Sequence, residues 1–186
     1  MFDLERLFSG DETAKITLAQ RQSQCAEDRR RDIYDSHRHR TFAVAYYMTG
    51  NEIEAENILT GTFIAAFSAT AEPSAQDVDA ALLSELRERF PLGMQDAPVS
   101  VNNVPAGSSD LSGRNILRTD LEEAIHCLPP QERLLFLLRD VEGYTPAAIA
   151  QLMQIPEAQV NRSLMSARIR LRRVLAERQE PRSEAA

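Results

Sequence analysis

The chain has 186 residues, 43% of them hydrophobic and 26% charged, with no tryptophan and only seven glycines. That balance excludes a disordered chain, and no stretch reaches the ~18–20 uninterrupted apolar residues that a membrane span needs. The net charge of −7, from 21 basic and 28 acidic side chains, argues against a uniformly basic nucleic-acid coat.

Scarce glycine favours helices over a meander of short strands, so an all-α fold is expected. Cys25 and Cys127 are the two cysteines; they offer no disulfide framework, which fits a reducing compartment. The opening run Met1-Phe2-Asp3-Leu4-Glu5-Arg6 carries an acid where a secretory leader would carry basic residues. A cytoplasmic protein without membrane insertion is therefore expected.

Residues 1–31 are polar and mixed and are expected to form an N-terminal extension. Phe2, Leu4, Leu7 and Phe8 suffice for one short helical turn ahead of Ser9-Gly10. Asp28–Asp32 begins the next helix, whose apolar positions run through Tyr34, Phe42, Ala45, Tyr46 and Met48 to a stop at Thr49-Gly50. Asn51 followed by Glu54 predicts a capping box. Leu59, Phe63, Ala66 and Phe67 then trace one helical stripe up to Pro73. A third helix is predicted over Gln76–Phe90, on Val78, Leu82, Leu83 and Leu86. Together 32–90 read as a small helical domain.

Between 91 and 118 the period vanishes under Pro91, Gly93, Pro98, Pro105, Gly107 and Gly113. As a flexible linker this segment has an r.m.s. span of about 30 Å. It would let two small domains engage separate places on a partner.

A second domain is expected over 119–178, followed by a tail at 179–186. Thr119 with Glu122 predicts a capping box, and Pro130 suits the first position of a helix over Gln131–Val141. After Gly143, Thr145-Pro146 pairs a hydroxyl cap with a proline at the first helical position. A short helix with Ile149, Leu152 and Met153 turns through Gln154-Ile155-Pro156 into a long one from Glu157.

Two helices joined by so short a turn are a helix-turn-helix, whose second helix lies in the major groove. On that second helix Val160, Leu164, Ala167, Leu171, Val174 and Leu175 share one face, within about 60° of a common direction. The other face carries Arg162, Ser166, Ile169 and Arg173, flanked by Gln159 and Arg170. From Asn161 to Arg178 there are six arginines against one glutamate, a local charge of +5 in an acidic chain. Groove reading needs these types, since Arg pairs with guanine, Gln or Asn with adenine, and further Arg residues with phosphate. Gln159, Arg162, Ser163 and Ser166 are the candidate base readers, and Asn161 is a further candidate DNA-binding residue. Arg168, Arg170, Arg172 and Arg173 are candidate phosphate contacts, with Thr145 offering a hydroxyl at a helix N-terminus.

The segments Leu128-Pro-Pro-Gln-Glu-Arg, Leu137-Leu-Arg-Asp-Val-Glu-Gly-Tyr-Thr, Ile149-Ala, Ile155-Pro and Val160 through Arg168 resemble the fourth region of extracytoplasmic-function sigma factors, of the sigma-70 superfamily. Ala45-Tyr46, Thr49-Gly50, Ala55-Glu-Asn-Ile-Leu and Thr62-Phe63 look like the second region of the same family. The resemblance implies an alternative sigma factor, which binds core RNA polymerase through second-region helices, reads the −35 promoter element with the helix-turn-helix, and carries no catalytic chemistry. It places polymerase binding on Glu54, Glu56, Asn57, Thr60 and Phe63. An anti-sigma factor is a further candidate partner.

Several positions depart from the family pattern. Asn57, Thr60 and Gly61 stand where the family has Asp, Gln and Glu, so two acids that face a basic polymerase surface are missing. A phosphate on Thr60 or Thr62 would restore about −1.5 to −2 charge. For the −10 strand, where aromatic and basic groups are wanted, the chain offers Arg87, Arg89 and Phe90. The alternative to a sigma factor is thus an adaptor or decoy that binds an anti-sigma factor without initiating transcription alone.

His37, His39 and Cys25 lack a paired Cys-x-x-Cys spacing and predict no metal site. No cofactor motif and no nucleophile–base set stands out, so an enzyme is not expected.

Overall fold

The computed structural model describes residues 5–92 and 116–183. Most of the expected linker, 93–115, lies outside the described residues, as do 1–4 and 184–186. The described chain is all-helical, in the order α1 (Glu5–Thr49), α2 (Glu52–Ala69), α3 (Ala75–Arg89), α4 (Arg118–His126), α5 (Pro130–Phe136), α6 (Pro146–Met153) and α7 (Glu157–Ser183). A π-helical turn, Leu137–Val141, prolongs α5.

The first helix is a correction to the sequence reading. The expected extension and the helix after Asp28 are one element of 45 residues. Nothing in it forces a break: it holds no proline, and Glu, Lys, Ala, Leu, Gln and Arg propagate a helix through the single Gly10 at a cost of about 1 kcal/mol. The helix stops where expected, at Gly50 with φ 71°, whose N–H bonds to the Tyr46 carbonyl at 2.7 Å.

Asn51 caps α2 as its position predicted, its side-chain oxygen accepting from the N–H groups of Ile53 (2.9 Å) and Glu54 (3.2 Å). The full capping box lies elsewhere, on α3. There Ser74 Oγ accepts from Asp77 N at 3.3 Å and the Asp77 carboxylate accepts from Ser74 N at 2.8 Å. The Ser74 hydroxyl, which donates to Asp77 Oδ2 at 2.7 Å, and after it the Ser74 N–H hold the Asp77 carboxyl below the usual carboxylate range. The box expected at Thr119 does not form. Helix α4 begins two residues earlier, at Arg118 behind Leu117, with no side-chain cap, and Glu122 accepts from Arg118 Nε at 2.7 Å instead.

Two clusters make the core. In the smaller one Phe63 of α2 meets Tyr34 of α1 edge-on at 4.8 Å between ring centres, with Ala66 and Val78 behind it. The larger cluster crosses the expected linker. Val44, Ala45, Met48 and Ile58 from the N-terminal half join Leu134, Leu135, Ile149 and Val160 from the C-terminal half in one contiguous core. The expected separation of 32–90 from 119–178 is therefore absent from this arrangement. Amphipathic helices with wide apolar faces bury them against whatever apolar surface is nearest, and truncating any of these fully buried leucines to alanine costs roughly 2–5 kcal/mol.

Polar contacts finish the joint between the halves. Arg40 of α1 pairs with Asp79 of α3 and donates to the Tyr144 hydroxyl, which in turn donates to Asp79 Oδ2 at 2.5 Å. The Arg40 guanidinium carbon lies 5.6 Å from the centre of the Tyr144 ring. Arg87 of α3 donates to the Met153 carbonyl at 3.1 Å. Arg133 of α5 donates to Met48 O at 2.7 Å, His126 O at 2.5 Å and Leu128 O at 3.0 Å. One guanidinium thus closes the C-terminal ends of both α1 and α4, whose last carbonyls have no partner inside their own helices.

Candidate nucleic-acid interface

The candidate interface is built on α5, α6 and α7. Pro129 and Pro130 start α5, with Pro130 at a first-turn position where its missing N–H is not needed. The helix widens at Leu137–Val141, where Glu142 N–H reaches back five residues to Leu137 O at 2.9 Å. Gly143 then turns the chain at φ 77°, a left-handed conformation with open space around it. Arg139 Nη1 donates to the Tyr144 carbonyl at 2.9 Å and braces this turn.

Thr145 caps α6, its hydroxyl oxygen accepting from Ala148 N at 3.1 Å. The side chain is exposed at the helix N-terminus, and its O–H remains available as a donor toward an anion.

The turn after α6 is a Schellman motif. Gln154 adopts φ 58°, ψ 42°, the Ile155 N–H bonds to Ala150 O at 3.1 Å and the Gln154 N–H to Gln151 O at 3.4 Å. Glutamine here replaces the glycine such a cap prefers, at roughly 1–2 kcal/mol. The chain re-enters helix through Pro156, whose carbonyl accepts from Val160 N at 3.2 Å.

Helix α7 buries the stripe expected of it: Val160, Leu164, Ala167, Leu171 and Leu175 are all in the core. Its outer face presents Asn161, Arg162, Arg172 and Arg173. Gln159 and Ser163 are half-buried beside that face. Met165 is 63% exposed in the middle of it.

Three expected DNA contacts have partners inside the protein. Arg168 grips Asp140 with two prongs, Nε to Oδ2 at 3.0 Å and Nη2 to Oδ1 at 2.5 Å, which raises its pKa further. Ser166 donates to Glu132 Oε1 at 2.9 Å. Arg170 Nε lies 3.2 Å from Glu132 Oε2. The carboxylates of α5 and its π turn thus take up two of the arginines of α7. Arg173 reaches only Glu177, at 3.3 Å on the open surface, where such a pair is worth little.

The second expected site, on α2, divides by exposure. Glu54, Glu56, Asn57 and Thr60 are exposed. Phe63 is buried in the smaller core cluster, where its ring is a packing element out of reach of a partner. Thr62 is fully buried; a kinase would have to unfold the helix to reach it. Thr60 alone of the two is accessible. Ile53 and Ile64, 71% and 62% exposed, lie on the same side as Asn57 and Thr60, one turn outside each.

Both cysteines are exposed and unpaired. Among the described residues no group of three His, Cys, Asp or Glu side chains could hold a metal ion, and no helix is long and apolar enough to cross a membrane.

Residues 118–171 match the family model for sigma-70, region 4. The chain is also similar to an ECF RNA polymerase sigma factor SigE from Mycolicibacterium smegmatis, 25% identical over 166 residues. That similarity covers 83% of this chain and 65% of the relative, so the chain spans just under two thirds of that protein's length.

Proposed function

We propose, for a chain that belongs to the extracytoplasmic-function family of sigma-70 factors, a role in transcription initiation as a promoter-recognition subunit of RNA polymerase, working in the cytoplasm and without chemistry of its own. The observation that carries this reading is the α6–Gln154–α7 unit, which turns Asn161, Arg162, Arg172 and Arg173 outward together. Such a helix inserts its N-terminal residues between base edges and lays its later arginines along phosphate.

On this reading Asn161 and Arg162 make the base contacts, with Gln159 and Ser163 at their flank. Thr145, Arg172 and Arg173 hold the backbone. Arg168, Arg170 and Ser166 hold α7 at its angle through Asp140 and Glu132 and touch DNA only by releasing those carboxylates. The exposed face of α2, with Glu54, Glu56, Asn57 and Thr60, is the surface for core polymerase, and phosphate on Thr60 would strengthen its charge. Run-off transcription with core polymerase tests the reading. Product from a cognate promoter should depend on the protein and vanish with Arg162→Ala plus Arg173→Ala; a protein that supports no product at any promoter, though it binds DNA, refutes it.

A further inference from the structure

On the functional reading above, α2 and α7 would act at separate surfaces, one on polymerase and one on promoter, yet here the two halves share one core. The structure of the joint has two layers. Beneath is an apolar cleft, where Leu82, Leu83 and Leu86 of α3 face Leu134, Leu138 and Leu152. Above it sits the trio of Arg40, Asp79 and Tyr144. Asp79 is 9% exposed, so its charge relies on these two donors in place of water.

Tyr144 is the residue immediately before the Thr145 cap. Its hydroxyl therefore ties the start of the helix-turn-helix to α3. Desolvation and the Asp79 carboxylate push the Tyr144 pKa upward, so the hydroxyl stays a donor throughout the physiological range. The N-terminal half that it binds is acidic, with 16 acidic against ten basic residues over 1–92. The 23 residues between Leu92 and Ile116 could extend to roughly 80 Å, so the covalent connection does not oblige the halves to touch.

We propose that the Arg40–Asp79–Tyr144 trio is a clasp that holds the two halves in a closed resting state, and that it must open before they can occupy separate surfaces of polymerase and promoter. The gating part of this proposal rests on the functional reading above; the closure itself does not. Because only the open fraction binds, apparent affinity falls by that fraction. Loosening the clasp therefore tightens binding without any new contact.

The test uses the full chain with two variants. Tyr144→Phe keeps the ring and removes only the hydroxyl, a hydrogen bond to a charged group, and should tighten association with core RNA polymerase by about tenfold. Asp79→Arg sets a second guanidinium against Arg40 and should enlarge the radius of gyration in small-angle X-ray scattering relative to wild type, with helical circular dichroism retained. Wild-type polymerase affinity for Tyr144→Phe overturns the gate. Unchanged scattering from folded Asp79→Arg overturns the clasp, and if that variant does not fold, unchanged amide exchange across α3 and α6 in Tyr144→Phe does so. Absence of any polymerase association in both wild type and Tyr144→Phe defeats the functional reading, while the scattering still decides whether the clasp closes the molecule.

Discussion

Gly61 on α2 lies so close to Glu85 on α3 that a Cβ added to it would come within 2.7 Å of the glutamate's carboxyl carbon. Glu85 is in turn held by Arg89, one turn on, at 2.7 Å. A glycine that looks like a weak point in a helix is therefore a contact between helices. Gly61→Ala alone should yield well under the ~1 kcal/mol that alanine normally gains over glycine in a helix, because Glu85 must leave its place. In a Glu85→Ala background the same change should deliver the full amount. Urea unfolding of the four proteins of this cycle checks it; equal effects of Gly61→Ala in both backgrounds would show that the close approach has no energetic weight.

Arg133 closes the ends of two helices that belong to different halves. Arg133→Ala should destabilise the protein by about 3 kcal/mol, since three carbonyls lose a charged donor and the losses do not add fully. Lysine, with one compact ammonium, should recover only part of this. Denaturant midpoints for the three proteins measure the order.

His126 gives the fold a pH dependence. Burial, followed by the neighbouring Arg133 charge, pulls its pKa below the ordinary value of 6.5. The folded state then binds fewer protons than the unfolded one. The stability that follows is present above pH 6.5 and is lost as pH falls through the depressed value. Glu142 works in the opposite sense: burial raises its pKa above 4.5, so its contribution is lost as pH rises. Removing His126 removes its share of the loss, so the change in thermal midpoint from pH 7.5 to 5.5 should be more favourable in His126→Gln than in wild type. Parallel curves for the two proteins would remove His126 from the account.

Thr145 has two separable duties, as a helix cap and as a proposed phosphate donor. Aspartate caps a helix as well as threonine does but presents a negative charge to the duplex. Thr145→Asp should hold stability within about 0.5 kcal/mol of wild type while lowering retention on promoter fragments at least tenfold. Thr145→Ala should lose about 1 kcal/mol of stability. A Thr145→Asp protein that binds DNA as wild type does would exclude this end of α6 from the interface.

The legible parts of the sequence were those governed by local rules. The caps at Asn51 and Thr145, the Gln154 turn and the buried stripe of α7 follow from spacing and side-chain type over a few residues. Arg168 and Arg170 were read as free because nothing within a few positions on α7 opposes them. Their partners Asp140 and Glu132 lie 28 and 38 residues away in sequence and are brought close only by packing. The joining of the halves was hidden for the same reason: the segment of Pro and Gly between 91 and 118 announces freedom of the chain, and the leucines that override it look like ordinary core residues within each half. Phe63 shows a third kind of miss, since position in a family motif does not tell which side of α2 faces Tyr34.

The pairing of Arg168 and Arg170 with carboxylates of their own scaffold bears on how such a helix would meet a polyanion. Each phosphate neutralised by a side chain frees a condensed counterion, and the logarithm of the binding constant falls with the logarithm of salt by about 0.9 per contact. The two guanidiniums left for the backbone, Arg172 and Arg173, give a slope of about −1.8, against about −3.6 if Arg168 and Arg170 took part as well. A shallow slope in fluorescence anisotropy would mean weak non-specific adhesion and quick release from random sequence, leaving the choice of site to base contacts rather than to charge.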